Sequence, residues 1–361
     1  MSMSTTQPAL MVDDGLLHQS WLTTWGRRTV SISVYTFVGA LWLTTSPAWS
    51  LLALLVDVGR RKWRFPLLRF GVFILAYLAC EAWGTLAALL LGVVTLGGAV
   101  GGQERYLRWH YALQRVWTRA LFAAGQRAFS FRVHLDDDVD VDGPVLLLVR
   151  HVSSADTVLA AALFANQRRL KLRYVLKQEL LWDPCLDIVG KRLPNAFVAR
   201  RRQQGGPSSS TVDRAAVAQL ARDLTPDSGV LIYPEGSRFT PAKQQRALER
   251  LQTSGHAQLA AQASTWSHVL PPRLGGTLTL LNTAPQLQVV VLEHAGFDDV
   301  GTLADMVNGS LVGRDIYVRF RRVDVDGVAP ESRAQWLFDE WAKVDAWVGA
   351  HRQAVATKPK V

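Results

Sequence analysis

Two stretches of this 361-residue chain carry almost no charge, and they limit its fold more than any other feature. From Thr29 to Val56 there is no charged residue, and from Phe70 to Gly102 the only one is Glu81. A helix crossing roughly 30 Å of hydrocarbon needs about 20 apolar residues, so each run is long enough to span a membrane. Soluble helices rarely run this far without charge. Neither run reads as a cleaved signal, because both are too long and no small-residue cleavage site follows the first. Pro47 falls inside the first run and is expected to kink or break it. Glu81 is costly in lipid and should face protein, water or a headgroup; a helix-packing role and a functional one both fit.

Basic residues flank the runs on every side. Arg27 and Arg28 precede the first, while Arg60, Arg61, Lys62, Arg64 and Arg69 fill the connector. Arg105, Arg108, Arg115 and Arg119 follow the second. By the positive-inside rule all three flanks prefer the cytoplasm, which two simple spans cannot satisfy. A shallow or re-entrant helical pair satisfies it. Residues 1–102 are therefore read as an N-terminal membrane segment and 103–361 as the globular domain, held at the inner (cytoplasmic) membrane and facing the cytoplasm.

A net charge of +10 calls for an anionic partner. Together with the apolar runs it favours membrane lipids. Neither zinc-finger spacing nor an RNA-binding aromatic box occurs, so nucleic acid is not expected. Cys80 and Cys185 are too few for a disulfide framework or a cysteine-rich metal site, and no other metal-ligand cluster stands out. The oligomeric state stays open.

After Gly102 the pattern changes. Gln103 to Phe129 reads as a basic, aromatic amphipathic helix, suited either to a membrane surface or to packing on the domain. Pro144–Val149, Leu172–Leu176, Gly229–Tyr233, Gln288–Glu293 and Ile316–Val325 read as strands. Val158–Ala165, Thr211–Leu224, Pro241–Ala263 and Glu331–His351 read as helices, with Ser210 and Asp213 in capping-box positions. Arg201 to Ser210 reads as a flexible loop. The alternation predicts an α/β fold, a mixed sheet flanked by helices, preceded by the hydrophobic helical segment.

Two motifs carry chemistry. Arg150-His151-Val152-Ser153-Ser154-Ala155-Asp156 follows the first buried strand. Five helical steps would separate His151 and Asp156 by about 140°, so a straight helix cannot bring them together. A loop entering a helix can, with Ser153 and Ser154 suited to cap it. Asp156 would then fix the tautomer of His151, whose other ring nitrogen takes a proton from a hydroxyl. The bland alternative is a capping Asp near a surface His. The second motif, Tyr233-Pro234-Glu235-Gly236-Ser237-Arg238, also ends a buried strand. Its Gly lets backbone amides approach an anion and Arg238 adds a phosphate-matching fork; a plain strand-to-helix turn is the alternative.

The pair resembles the first and third sequence blocks of the glycerolipid acyltransferase superfamily, the lysophosphatidic acid acyltransferases and their relatives. Lys177-Gln178-Glu179-Leu180 and Asn195-Ala196-Phe197-Val198-Ala199-Arg200 resemble the second block, and His268-Val269-Leu270-Pro271-Pro272-Arg273 the fourth. The resemblance covers roughly Pro144 to Glu293. The Leu-Pro-Pro-Arg-Leu-Gly-Gly form and the insertion after Arg238 are most similar to the branch of lysocardiolipin and lysophosphatidylinositol acyltransferases. Two positions depart from the family: Arg150 stands where Asn usually precedes the His, and Ser237 replaces Thr. Arg150 either lowers the His pKa by repulsion or points at phosphate.

The resemblance implies direct transfer of a fatty acyl group from an acyl thioester (acyl-coenzyme A or acyl-carrier protein) to a lysophospholipid hydroxyl, foremost 1-acyl-sn-glycerol 3-phosphate. His151 and Asp156 would be catalytic. Lys177, Arg200, Glu235, Gly236, Ser237 and Arg238 would bind the phosphate-bearing acceptor, and Pro272 and Arg273 would lie at the acyl-donor site. No cofactor or metal is expected. A different acceptor, or a catalytically silent lipid-binding protein, are the competing readings. A hydrolase is disfavoured, because no Gly-x-Ser-x-Gly elbow is present.

Overall fold

The computed structural model of the chain describes residues 20–153, 156–198 and 209–357. The first apolar run is broken, as Pro47 predicts. Helices α1 (Trp21–Thr44) and α2 (Ser46–Gly59) meet across Thr45 at 68°. Pro47 sits in the first turn of α2, where a missing N–H costs no helical hydrogen bond. Helix α3 (Pro66–Val94) follows, 29 residues or about 44 Å. Among the described residues it alone is long and apolar enough to cross a membrane unaided; α1 and α2 qualify only as a bent pair. Buried Asp57 ties the α2–α3 corner, accepting from the Leu67 and Leu68 amides at 3.0 and 3.1 Å. These are amides that the start of a helix leaves without partners.

Arg60, Lys62 and Arg69 of the connector are docked on protein. Arg60 donates to the Asn308 side chain and Lys62 to its carbonyl, both at 2.7 Å, and Arg69 donates to Ala128 O at 2.7 Å. Helix α4 (Gly102–Phe129) buries Tyr106, His110, Leu113 and Leu121 while Arg105, Arg108 and Arg119 stay exposed. Its apolar face turns to protein, which realises the packed alternative for this segment.

Among the described residues, seven strands form one mixed sheet. They are β1 (Arg132–Asp137), β2 (Val145–Val149), β3 (Lys171–Lys177), β4 (Ala196–Val198), β5 (Ser228–Ile232), β6 (Gln288–Ala295) and β7 (Asp315–Val323), in the order β1-β7-β6-β2-β5-β3-β4. Only the β6–β7 pair is antiparallel. Strand β2 lies between β5 and β6 with all five residues buried. Leu146 and Leu148 pack on one face, and Val145, Leu147 and Val149 on the other. Cover on both faces is why this strand is uniformly apolar rather than alternating.

The remaining helices are α5 (Pro184–Arg192), α6 (Ser209–Leu220), α7 (Pro241–Thr253), α8 (Ala257–Ala263), α9 (Leu274–Thr283), α10 (Leu303–Asn308) and α11 (Arg333–Thr357). One face of the sheet is covered by α6, α8, α9 and α11, whose Phe338 and Trp341 are fully buried. The other face carries the 156–165 segment, with Leu159 and Phe164, and the end of α4.

Three expectations change. The helix expected from Pro241 to Ala263 is two helices, because Gly255 adopts φ +81°, a left-handed stop. Ser210 lies inside α6 rather than at a cap. Strands β1 and β4 were not foreseen; β1 is polar, largely exposed, and exists by pairing with β7.

Helix α5 is bound to the N-terminal helices rather than to the sheet. Asp187, fully buried, pairs with Arg27 at 2.9 Å and Arg28 at 3.2 Å. Tyr77 Oη donates to Asp183 at 2.9 Å, and Glu81 accepts from Trp117 Nε1 at 3.1 Å and from the Cys185 amide at 3.4 Å. Glu81 thus serves packing, meeting protein donors instead of lipid. Gly84 permits the approach: a Cβ there would sit 2.6 Å from Cys185 Sγ and 2.9 Å from Trp117.

Candidate active site

The site starts where β2 ends. Residues 150–153 carry no regular secondary structure and 156–158 form a turn, ahead of the next helix. This lets His151 Nδ1 reach Asp156 Oδ1 at 2.9 Å. Asp156 Oδ2 accepts from the Val152 and Ser153 amides at 2.7 and 2.8 Å. One buried carboxylate therefore closes the loop and holds the imidazole. Burial alone would raise the Asp156 pKa, but the His151 hydrogen bond, the nearby imidazoles and the Ser153 amide hold it below the usual carboxylate range. Ionised Asp156 accepts a hydrogen bond from Nδ1–H, which leaves Nε2 of His151 as an acceptor. Ser153 is not a cap: its hydroxyl donates to Val300 O at 2.5 Å. Ser154 lies outside the described residues.

His151 stacks at a tilt on Tyr233, ring centres 4.5 Å apart, and lines a cavity of about 630 Å³. That volume is typical of small-molecule sites. Its wall joins three cations, Lys177, Arg238 and Arg273, to an apolar stretch that includes Leu113, Trp117, Leu121 and Val189. Arg238 also donates to Gly301 O at 2.7 Å, which fixes its guanidinium.

The turn after β5 is shaped by Gly236, whose φ of +65° favours glycine and whose amide donates to Tyr233 O at 2.9 Å. A Cβ there would lie 2.7 Å from Arg273 Nε, so Arg273 is packed against the turn that Gly236 opens. The Arg273 amide donates to Pro234 O at 2.8 Å, joining the third and fourth sequence blocks. Pro272 is buried and, like half-buried Ser237, is not on the cavity wall.

Glu235 is placed otherwise than as a substrate ligand. It is buried, absent from the cavity wall, and its two oxygens accept from the His151 amide at 3.2 Å and the Leu270 amide at 2.9 Å. It braces the His151 loop against the fourth block. Burial pushes its pKa up to about 8, against the pull of Arg150 and the two amides. Arg200 lies outside the described residues, as do residues 201–208 of the expected loop.

Arg150 does not point at a phosphate site. It is 1% exposed and turned into the protein. It pairs with Asp298 Oδ1 at 2.5 Å and donates to the carbonyls of His268 and His294, each at 2.8 Å. Buried Asp298 would be pushed up by desolvation, yet Arg150 holds its pKa down at about 2. Arg150 is thus a structural cation rather than a phosphate ligand.

The sequence reading missed His294, fully buried at the end of β6, with Nε2 2.9 Å from Arg150 O and 3.6 Å from Asp156 Oδ2. A signal existed, since strand ends in α/β sheets are where sites gather.

Residues 130–274 match the family model described as Acyltransferase. That segment is similar to the acyltransferase-family domain. The four blocks of the glycerolipid acyltransferase superfamily all fall within that match, and the resemblance drawn from them holds. Among solved structures, the chain is similar to the 1-acyl-sn-glycerophosphate (LPA) acyltransferase PlsC from Thermotoga maritima. Identity is 13%, coverage 77% of this chain and 98% of that chain, and the TM-score 0.40. No curated protein matches the chain.

Proposed function

We propose that the protein transfers an acyl group from an acyl thioester to the free hydroxyl of a lysophospholipid, 1-acyl-sn-glycerol 3-phosphate being the first acceptor to test. One observation carries this: a His151–Asp156 pair in hydrogen-bond contact, on the wall of a cavity that combines cations with apolar side chains. His151 Nε2 takes the proton from the acceptor hydroxyl as its oxygen attacks the thioester carbonyl carbon. The tetrahedral adduct collapses with cleavage of the C–S bond, and the leaving thiolate takes the proton from the imidazolium. Ester and free thiol result, with no acyl-enzyme. Asp156 orients His151 and stabilises its charged form, a contribution of the kind worth several kcal/mol in His–Asp systems. Lys177, Arg238 and Arg273 supply positive charge for the acceptor phosphate or for phosphates of the donor; Arg200 is a further phosphate ligand on the family resemblance. The exposed apolar residues of α1–α3, Phe37, Leu51, Leu86 and Val93 among them, suit a membrane in which both substrates gather.

The test is purified protein in lipid vesicles, offered a panel of lysolipids with one acyl thioester. Wild type is expected to acylate an anionic lysolipid, and His151→Ala to stay with the vesicles but lose transfer by at least about 10³-fold. Transfer by His151→Ala at the wild-type rate would refute the mechanism, and failure of every lysolipid would refute the function.

A further inference from the structure

The peptide that carries His151 is held by an exchange between two side chains that the acyl-transfer scheme does not use. Arg150 Nη1 donates to the carbonyl of His294 at 2.8 Å, and His294 Nε2 stands 2.9 Å from the carbonyl of Arg150. Each side chain therefore grips the other residue's backbone. The Arg150 amide adds a bond to Leu292 O at 3.2 Å, continuing the β2–β6 ladder past its last paired residues. The carbonyl at one end of this contact belongs to the peptide bond leading into His151. Because a carbonyl only accepts, His294 must carry its proton on Nε2. That N–H also faces Asp156 Oδ2 at 3.6 Å, too long for a hydrogen bond but close enough for its dipole to favour the ionised carboxylate. Burial pushes the His294 pKa down, which keeps the ring neutral and the arrangement intact near neutral pH.

We propose that His294 is a positioning residue for the His151–Asp156 pair, through the reciprocal hydrogen bonds it exchanges with Arg150 and the N–H it presents to Asp156. The inference rests on the acyl-transfer reading for its kinetic consequence, but not for its structural one. Without the Nε2 donor, the Arg150 carbonyl is left buried and unpaired, and the peptide leading into His151 is held only at its amide end, by Glu235. Asp156 then holds Nδ1–H less strictly, and a displacement near 1 Å in such a pair costs about 100-fold in rate.

The experiment uses the full chain in detergent micelles with isotope-labelled histidine. Wild type, His294→Leu and His294→Gln are compared, since Gln places an N–H near the position of Nε2. NMR should show His151 protonated on Nδ1 in wild type and His294→Gln, and a mixture of tautomers in His294→Leu. The kcat of His294→Leu should fall about 10- to 100-fold while KM for lysolipid stays within about twofold, and His294→Gln should recover most of the loss. A folded His294→Leu with the wild-type tautomer and kcat overturns the proposal, as does a His294→Gln no better than His294→Leu. Should His294→Leu not fold, His294→Asn replaces it, its amide being too short to reach Arg150 O; equal behaviour of Asn and Gln then overturns the proposal. If the tautomers respond as expected while wild type acylates nothing, the positioning role stands and the functional reading fails.

Discussion

Removing either partner of the Arg150–Asp298 pair should cost far more than removing both. The pair is almost fully buried, at 1% and 5% side-chain exposure, and its contact is 2.5 Å. Asp298 has its pKa held at about 2 against an ordinary 3.8, which corresponds to about 2 kcal/mol of preference for the ionised form. Asp298→Asn leaves Arg150 as an uncompensated buried cation, a defect that costs about 3–5 kcal/mol. Arg150→Met leaves Asp298 with the Gly296 amide and the more exposed Arg352, 3.7 Å away, and strips donors from two carbonyls. The double variant has no buried charge to strand, so it should fall short of the summed singles by about 2–3 kcal/mol. The pH dependence has a definite sign. A depressed carboxylate pKa contributes stability that is present above pH 4 and lost as pH falls toward 2, so wild type should weaken by about 2 kcal/mol across that window. Asp298→Asn should lack that limb. Urea unfolding in detergent, followed by circular dichroism at a series of pH values, measures both quantities. Strictly additive single variants, or an unchanged acid limb in Asp298→Asn, would show that the pair is not coupled as its geometry implies.

Other substitutions test the site itself. Asp156→Asn keeps the size of the side chain but no longer demands Nδ1–H of His151; kcat should fall about 10³- to 10⁴-fold with KM for lysolipid nearly unchanged, read by initial rates. Gly236→Ala forces a side chain into a left-handed position and against Arg273. It should cost about 1–2 kcal/mol of stability by thermal melting and raise KM for the anionic substrate, whereas alanine at exposed Gly102 should leave KM unchanged.

Much of the fold was legible because it follows from local pattern. Strands β2 and β5 are apolar runs bounded by turn residues, and Pro47 marks the α1–α2 break. Helix geometry permitted the nearness of His151 and Asp156 without requiring it, since five residues cannot meet on a straight helix but can across a loop; the resemblance of the motif favoured the pairing. What was hidden depends on contacts distant in sequence. Glu235 resembles a ligand in its motif, yet its oxygens are taken by amides 84 residues before it and 35 after. Arg150 next to a histidine reads as a modifier of that histidine until Asp298, 148 residues away, is seen to claim it. Strand β1, Arg-Val-His-Leu-Asp-Asp, alternates only through Val133 and Leu135, a signal too short and too polar to stand out, and its side chains are mostly exposed at the sheet edge.

The clamps on α5 bear on how the N-terminal helices and the substrate cavity can be separated. Val189 and Leu186 of α5 wall the cavity, while Asp187 between them is gripped by Arg27 and Arg28, ahead of the first apolar run. The hydrophobic segment is therefore no leash that could be cut to release a working soluble enzyme. Trimming the chain at residue 103 would orphan a buried carboxylate and unseat one side of the chamber. Whatever tilts those helices in a bilayer also leans on the space where an acyl chain would lie.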